Sequence, residues 1–410
     1  MKKLIILLLV AITTQAQTPS TSITVGHVDS LYSNILGETR KVWVYVPEEI
    51  QKGIFLPQRY PVVYLLDGEA HFYSVMGMVQ QLSQVNGNTV LPEMILVGIT
   101  NTNRTRDLTP THSDYDPFGN ADFLKESGGG EKFTEFLKKE LIPHIDSLYP
   151  TTSYRTLIGH SFGGLTVVNT LIHHTELFNA YVAIDPSMWW DKQKLIRQAE
   201  SVLKQKSFQD KTLYLATANA LNSSITVQQI KEDTSSYTEH TRTIFQLADV
   251  VKQSSKSGLT YHSHYYDRDD HGSVPLISTH DALRFIFSYY KIPMELNAYL
   301  NKEFDITTVL TTHFNTVTQR MKYQVLPPEP YVNSLGYMSM SLKHWKKAKS
   351  LFQLNVKNYP GSANVYDSLA DCYAAMGEKQ KAIENYTRSL SIKELSHTKQ
   401  KLEKLIEEEK

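Results

Sequence analysis

Short apolar segments alternate with longer amphipathic segments between residues 40 and 270. The amphipathic segments repeat apolar residues every three or four positions, as a helix with one buried face does, for example around Phe136 and Leu283. The short segments have the length and composition of buried strands. They are RKVWVYVP, PVVYLLDG, EMILVGIT, RTLIGHS, AYVAIDPS, TLYLATAN and TYHSHYYD. This alternation predicts an α/β domain over residues 17–291, with a mostly parallel sheet covered by helices on both faces.

The hydrophobic pattern changes after residue 291. Residues 292–330 predict a helical linker, which the proline-rich stretch VLPPEPYV interrupts. Residues 331–410 repeat themselves at an offset of 34, which is typical of tetratricopeptide repeats. The matched positions are Leu335 with Leu369, Ala348 with Ala382, and Phe352 with Tyr386. We therefore expect a small all-α helical-repeat domain closed by a Lys- and Glu-rich capping helix, with an unrelated helical hairpin as the alternative.

Residues 1–16, MKKLIILLLVAITTQA, join two lysines to an apolar stretch and a small-residue ending. This pattern is typical of a secretory signal peptide, and the apolar stretch is short for the alternative, a membrane anchor. We therefore expect a periplasmic or secreted protein with no membrane span after cleavage. Lys and Arg total 42, as do Asp and Glu, so there is no basic surplus for binding nucleic acid. Cys372 is the single cysteine, which excludes an internal disulfide.

Ser161 lies in the pentapeptide GHSFG, between a predicted strand and a predicted helix. This sequence in this setting is typical of a nucleophile elbow. The flanking glycines, Gly159 and Gly163, leave room for the strained turn that exposes the serine hydroxyl. The amide of Phe162 would begin the helix and face a developing oxyanion. The pattern predicts Ser161 as a nucleophile.

A nucleophilic serine needs a base, and in hydrolases with this elbow the histidine follows the last strand. His271, in DRDDHGSVP, stands at that position. Asp185, in AYVAIDPS, is the first choice for the orienting acid, because the usual position after LYLATAN holds Asn219 and no carboxylate. Asp233, Glu239, or a Ser-His dyad without an acid are the alternatives.

Other candidates follow strands at the same predicted edge of the sheet. Gly68 or Glu69 is expected to supply a second oxyanion amide, with an ordinary Asp-Gly turn as the alternative. Trp189 and Trp190 are candidates for lining a substrate pocket, although tryptophans beside a strand end also serve as core. Arg106 is a candidate for binding an anionic substrate or for fixing its loop through an ion pair.

The segment around the last strand also offers possible metal ligands. They are His262, His264, Asp267, Asp269, Asp270 and His271. The segment lacks a second ligand pair at diagnostic spacing, and a metal there would leave Ser161 unexplained. We therefore expect neither a metal nor an organic cofactor.

Five segments, taken in order, resemble the putative-esterase (esterase D-like) family of α/β-hydrolases, and within it the group with periplasmic siderophore esterases. They are YPVVYLLDGEAHFY, VGITNTNRTRDLTPT, LIGHSFGGL, SMWW and DDHG. The resemblance covers about residues 25–291. It implies an α/β-hydrolase fold, Ser161 as nucleophile, His271 as base, and oxyanion amides from Phe162 and residues 68–69. The missing carboxylate after LYLATAN departs from the family pattern, and the repeat tail lies outside it.

The sequence thus predicts a serine esterase that cleaves a small-molecule or saccharide-linked carboxylic ester through an acyl-enzyme. An acyltransferase on the same site is one alternative. The other is an inactive hydrolase domain whose repeat tail recruits a protein partner. The sequence does not indicate which ester is bound, because loops form the pocket walls.

Overall fold

The computed structural model describes residues 23–47, 54–116, 121–219, 221 and 225–407, so the predicted signal peptide at residues 1–16 lies outside the described residues. One sheet of eight strands forms the centre of this part of the chain. The strands are β1 His27–Ser33, β2 Glu38–Tyr45, β3 Tyr60–Leu65, β4 Ile95–Ile99, β5 Thr151–His160, β6 Ala180–Ile184, β7 Thr212–Ala218 and β8 Thr260–Tyr266.

The sheet order is β1-β2-β4-β3-β5-β6-β7-β8. Strand β2 is antiparallel to both of its neighbours, and all pairs from β4 to β8 are parallel. The carboxyl ends of β3 to β8 therefore meet along one edge. The register brings the end of β5 beside the end of β6, where His160 pairs with Ile184.

Helices follow most strands and cover both faces of the sheet. In the hydrolase part they are α1 Gly68–Ser83, α2 Arg104–Leu108, α3 Gly130–Phe136, α4 Ile142–Leu148, α5 Phe162–His173, α6 Trp190–Gln205, α7 Val227–Glu232, α8 Ser236–Gln253 and α9 Val274–Ile286. A π-helical segment, Leu137–Leu141, joins α3 to α4, and three 3-10 turns lie at Val85–Gly87, Ala121–Glu126 and Ser255–Ser257.

Alternate residues of the buried strands enter two separate hydrophobic layers, as the two-residue period of a strand requires. In β3, Val62 and Tyr64 pack with helices α3 to α6 and α8, whereas Val63 and Leu65 pack with α1 and α9. This arrangement confirms the predicted fold class, a mostly parallel sheet between two helical layers. None of the helices in the described ranges has the length and apolar character needed to cross a membrane.

Strand β1 is absent from the seven strands that the sequence pattern predicts. Among the described strands, it lies at the edge of the sheet and pairs only with β2. Two of its large side chains, Val28 and Tyr32, are exposed. An edge strand with exposed apolar residues lacks the buried run by which central strands such as β3, β4 and β6 are recognised.

The remaining helices form the C-terminal part of the chain. They are α10 Leu296–Leu300, α11 Ile306–Met321, α12 Glu329–Ser341, α13 Trp345–Asn358, α14 Ala363–Ala375, α15 Lys379–Ile392 and α16 Ser396–Glu407. The matched repeat positions Ala348, Phe352, Ala382 and Tyr386 are all buried. Gly336 of α12 allows close approach, because a Cβ atom there would lie 2.5 Å from the Phe352 ring. The all-α tail is therefore confirmed.

One hydrophobic cluster crosses the predicted domain boundary at residue 291. It contains Val63 of the sheet, Leu283 of α9, Phe314 of α11 and Leu335 of α12. A polar contact crosses the second predicted boundary, at residue 330, since the Lys347 ammonium group of α13 donates to the carbonyl of Ala298 at 2.8 Å. The division into domains at residues 291 and 330 stays a prediction, and the packing is continuous across it.

Candidate active site

Three polar residues that directly follow or closely follow parallel strands have a positive φ angle, which non-glycine residues rarely adopt. The φ angles of Asp67, Ser161 and Asp185 are 52°, 58° and 40°. They follow β3, β5 and β6, so the carboxyl edge of the sheet brings their backbones together. Such strained positions concentrate at functional sites, where the surrounding structure holds them.

The turn at Ser161 depends on glycines that remove side chains from a crowded junction. A Cβ atom at Gly159 would lie 2.4 Å from the carbonyl of Gly163, so the strand and the helix could not approach as they do. Ser161 has φ 58° and ψ −115° and leads directly into α5. The sequence GHSFG thus forms the strand-turn-helix geometry of a nucleophile elbow.

Asp185 is fully buried and accepts hydrogen bonds on both carboxylate oxygens. Its Oδ2 atom lies 2.6 Å from Nδ1 of His271 and 2.9 Å from Nε2 of His240. Its Oδ1 atom accepts from the backbone amide of Ala218 at 2.8 Å. The structure therefore brings together the predicted acid and the predicted histidine, with a second histidine on the same oxygen.

Burial opposes the ionisation of Asp185, but its partners outweigh that cost. Attraction to His240 and hydrogen bonds from His240, His271 and Ala218 hold the pKa of Asp185 well below its usual range. The carboxylate is thus an acceptor, and each imidazole must direct an N–H group at it. For His271 this places the proton on Nδ1 and leaves the lone pair on Nε2.

Ser161 lies close to this network, because the ring of His160, the preceding residue, contacts the ring of His271. Ser161 Oγ is 3.3 Å from Ser187 Oγ, and within the described ranges no hydrogen bond joins it to His271. The His160 ring centroid lies 4.4 Å from that of His271. Burial, assisted by repulsion from His271, lowers the pKa of His160 to about 3, so His160 is a neutral neighbour. A serine-histidine bond of this kind often forms only when substrate binds.

The predicted oxyanion donors occupy the first turns of two helices. Phe162 is the first residue of α5, while Gly68 and Glu69 begin α1. First-turn amides have no acceptor within their own helix, and the helix dipole favours negative charge there. Gly68 also permits close packing, since a Cβ atom there would lie 2.5 Å from the backbone of Gly98. The amides of Phe162, Gly68 and Glu69 thus lie at the edge that holds Ser161, and their role as oxyanion donors stays a prediction.

Arg104 ties the α1 loop to the elbow. Its Nε atom donates to Asp67 Oδ1 at 2.7 Å, and an Nη atom donates to the carbonyl of His160 at 3.3 Å. Burial opposes ionisation of Asp67, but Arg104 lowers the pKa of this carboxyl below its usual value. The ion pair with Asp67 and the hydrogen bond to His160 thus join the two segments that carry the predicted oxyanion amides.

The alternative acids lie in other environments. Glu239 accepts a hydrogen bond from the Tyr115 hydroxyl at 2.6 Å. Asp233 is half-buried and accepts hydrogen bonds from the amide and the hydroxyl of Ser235, as a residue that precedes a helix often does. Neither carboxylate is bonded to His271.

The three predicted substrate-binding side chains are engaged in packing or ion pairs. Arg106 donates to Glu38 at 2.7 Å and to Asp107 at 2.7 Å. Trp189 and Trp190 are buried, and Trp190 donates to the carbonyl of Thr111 at 2.9 Å. Trp190 also borders a cavity of about 230 Å³ whose lining does not include Ser161. The substrate contacts of these residues stay predictions.

Asp185, His240 and His271 are also the group of described residues that could hold a metal ion, since one donor atom of each lies within 4.8 Å of the others. Two imidazoles and one carboxylate are ligands that zinc accepts. The three side chains are already satisfied by hydrogen bonds between them. They lie beside a serine elbow, which is the setting of a catalytic triad.

His240 is the residue of the site that the sequence analysis missed. It lies in the second turn of α8, where the surrounding sequence SSYTEHTRT contains no recognised motif. A topological signal was present, because a helix that follows a parallel strand begins near the carboxyl edge of the sheet. A histidine early in such a helix is therefore a candidate for the site.

Known proteins match both parts of the chain. The sequence profile of the Putative esterase family matches residues 33–288, and a tetratricopeptide-repeat profile matches residues 335–394. Ferri-bacillibactin esterase BesA of Bacillus subtilis is 31% identical over 154 residues, which are 35% of this chain and 53% of that protein. The siderophore enterobactin esterase of Emericella nidulans is 29% identical over 149 residues, which are 33% of this chain and 49% of that protein.

A solved structure extends the similarity. The crystal structure of an IroE-like serine hydrolase from Shewanella oneidensis superposes with a TM-score of 0.67 and 31% identity, and covers 80% of this chain and 98% of its own. By contrast, the chain spans about half the length of the two curated esterases that it matches.

Proposed function

The chain belongs to the Putative esterase family, and from this premise we propose that it is a serine hydrolase of carboxylic esters. The predicted family resemblance is thereby confirmed. The observation that carries the proposal is the Asp185–His271 hydrogen bond beside the strained turn of Ser161. It supplies an oriented base next to a nucleophile that cannot react unaided at neutral pH.

In the first half of the proposed reaction, Ser161 Oγ attacks the ester carbonyl carbon. Its proton passes to Nε2 of His271, while Asp185 orients the ring and stabilises the imidazolium that forms. The carbonyl oxygen becomes an oxyanion and accepts hydrogen bonds from the amide of Phe162 and from an amide at residues 68–69. The C–O bond then breaks, and the alcohol leaves with the proton from His271.

The second half removes the acyl group. A water molecule attacks the acyl-enzyme carbonyl and gives a proton to Nε2 of His271. The tetrahedral adduct collapses, the carboxylic acid leaves, and Ser161 Oγ recovers the proton. Each step needs only groups of this chain and water, so the proposed mechanism requires no cofactor.

Siderophore esters are the substrate class that we propose first, because two relatives are named for them. The lysine-flanked apolar segment at residues 1–16 supports a periplasmic or secreted location, where such esters would be met. The tetratricopeptide match makes the tail a candidate surface for a protein partner.

Replacement of Ser161 by alanine tests the proposal. Ser161→Ala should abolish turnover of a p-nitrophenyl acyl ester and covalent labelling by a fluorophosphonate, while the circular dichroism spectrum stays that of the wild type. Ser187→Ala is the matched control, since it removes the neighbouring hydroxyl and keeps the nucleophile. Turnover retained by Ser161→Ala would refute the mechanism. A panel of siderophore and acyl esters, with products identified, then defines the substrate.

A further inference from the structure

The Asp185 carboxylate binds one more histidine than the proposed mechanism uses. His271 and His240 both lie within hydrogen-bond distance of Oδ2, at 2.6 Å and 2.9 Å. The His240 side chain is 13% exposed and that of His271 is 43% exposed, so His240 lies on the inner side of the carboxylate. The two rings are nearly perpendicular, with centroids 5.3 Å apart.

We propose that His240 is a positioning residue of this site, which holds Asp185 and sets the lower pH limit at which His271 acts as a base. This inference rests on the proposed function and deepens it. His240 would not touch the substrate, and its effect would reach Ser161 only through Asp185 and His271.

Two donors on one oxygen share its negative charge. The carboxylate stabilises the imidazolium form of His271, and a second N–H group on Oδ2 reduces the potential that His271 feels. Loss of the His240 donor should therefore let His271 bind a proton more readily. The base would then be blocked at a higher pH than in the wild type, so the acid limb of the rate profile should move upward.

The hydrogen bond from His240 also fixes the orientation of the Asp185 carboxylate. With His240, His271 and the amide of Ala218 in place, the carboxylate is held from three directions and cannot rotate. Without His240, Oδ2 keeps a single side-chain donor, and the His271 ring loses part of its orientation. A loss of orientation lowers the plateau of the rate profile, which is separate from a shift of its acid limb.

Other ionisable groups face this network and must stay constant in the test. His160 lies against His271, Asp270 interacts electrostatically with His271, Tyr265 does so with Asp185, and Glu239 beside His240 is bonded to Tyr115. All of them remain in each variant described below. A change in the acid limb therefore reports the removal of His240.

Three substitutions in the full chain separate these effects. His240→Phe keeps the ring volume and removes the donor, and His240→Asn is polar but too short to reach Asp185. His240→Gln places an amide N–H near the position of Nε2. His173→Phe is the control, because His173 is an exposed histidine of α5. For each protein, the second-order rate of fluorophosphonate labelling of Ser161 is measured between about pH 5 and pH 9.

We expect the acid limb of His240→Phe and His240→Asn to move upward by about 0.5–1 pH unit. Their plateau rate should fall about tenfold, and His240→Gln should recover most of that plateau. If His240→Phe fails to fold, judged by circular dichroism, His240→Asn carries the same expectation.

An unmoved acid limb in the folded loss variants would overturn the inference, as would a plateau in His240→Gln no higher than in His240→Asn. A wild-type protein that is not labelled would instead overturn the proposed function itself. Since the labelling needs no ester substrate, these two failures are distinguishable.

Discussion

Two buried carboxylates, one at the sheet edge and one in the helical tail, have different hydrogen-bond partners. Asp185 accepts from two imidazoles, His240 and His271. Asp367 of α14 accepts hydrogen bonds from the capping helix α16, at 2.7 Å from the Thr398 hydroxyl and 2.9 Å from the Lys401 ammonium group, while the exposed His397 imidazole lies 3.7 Å away, beyond hydrogen-bond distance. Imidazoles gain and lose protons near neutral pH, whereas hydroxyl and ammonium groups do not. Both carboxylates are buried, so the chemistry of the hydrogen-bond donors, rather than burial, distinguishes the candidate catalytic site from a structural contact.

The backbone conformations of the sheet edge and the helical tail also differ. At the sheet edge, Asp67, Ser161 and Asp185 have positive φ angles and lie where strands meet helices. In the described tail from residue 329 to 407, positive φ angles occur at Lys343 and Gly377, which lie in turns between helices. Positive φ angles at the sheet edge thus belong to side chains that converge on one site, whereas those of the described tail belong to turns that join regular helices.

After the loss of the nucleophile itself, the largest effect should come from Asp185→Asn. Asparagine tolerates a positive φ angle, so the fold should persist, but an amide N–H facing His271 would disfavour the reactive tautomer. We expect kcat for a p-nitrophenyl ester to fall about 10³- to 10⁴-fold. The measurement is steady-state kinetics at pH 8 beside a thermal unfolding curve.

Asp367→Asn and Asp233→Asn are the matched controls for that loss. Both change a carboxylate to an amide away from His271, so kcat should stay within about twofold of the wild type. A large loss of kcat in Asp233→Asn with none in Asp185→Asn would reverse the assignment of the acid.

A smaller effect is expected in the pH dependence of stability, through His160. Its pKa in the folded protein is about 3, against about 6.5 in an unfolded chain. Between these pH values the unfolded state binds one more proton than the folded state. The contribution of His160 to stability is therefore complete above about pH 6.5 and is lost as the pH falls toward 3. The free energy of unfolding should decline by about 1.4 kcal/mol per pH unit from this group.

Urea unfolding at pH 7.5, 6.0 and 5.0 measures that decline. His160→Gln keeps a polar side chain and removes the titration, so its slope should be shallower than that of the wild type by this amount. Asp185 does not interfere, because its lowered pKa contributes only as the pH falls below about 4. Parallel slopes for both proteins would contradict the buried neutral state of His160.

The smallest effect should be that of Asp367→Asn on stability. The amide would weaken the contacts to Thr398 and Lys401 that fasten α16. Because Lys401 is 35% exposed, its ion pair contributes little, and we expect a loss of about 1–2 kcal/mol in the free energy of unfolding. Urea unfolding followed by circular dichroism provides the measurement. A decrease in the free energy of unfolding as large as that of a core truncation would contradict this expectation. It would show that Asp367 contributes more to stability than its contacts with Thr398 and Lys401 indicate.

The sequence alone predicted seven of the eight described strands and the all-α tail, because apolar periodicity and repeated positions are local signals. It also pointed to Ser161, His271 and Asp185, since a nucleophile elbow and the ends of parallel strands place these residues at one edge. The roles of these site residues remain predictions until the variants above are measured.

Features that depend on contacts distant in the chain could not be predicted. His240 is 55 residues from Asp185, and only the packing of α8 against the sheet joins them. Arg106 was a candidate for substrate binding, but its pairing with Glu38 depends on a strand 68 residues away. The exposed β1 strand carries no local signal of burial. In each case the information lies in tertiary packing rather than in local periodicity.

The hydrophobic cluster that joins Val63 of the sheet to Phe314 and Leu335 of the C-terminal helices has a consequence for cooperativity. Elements that share one hydrophobic core unfold together. Calorimetry should therefore record a single unfolding transition rather than separate transitions for the hydrolase domain and the tail. Removal of the residues after 291 would expose an apolar surface of the hydrolase domain to solvent. The tail therefore shields an apolar surface of the hydrolase domain from solvent, and its packing contributes to the stability of that domain.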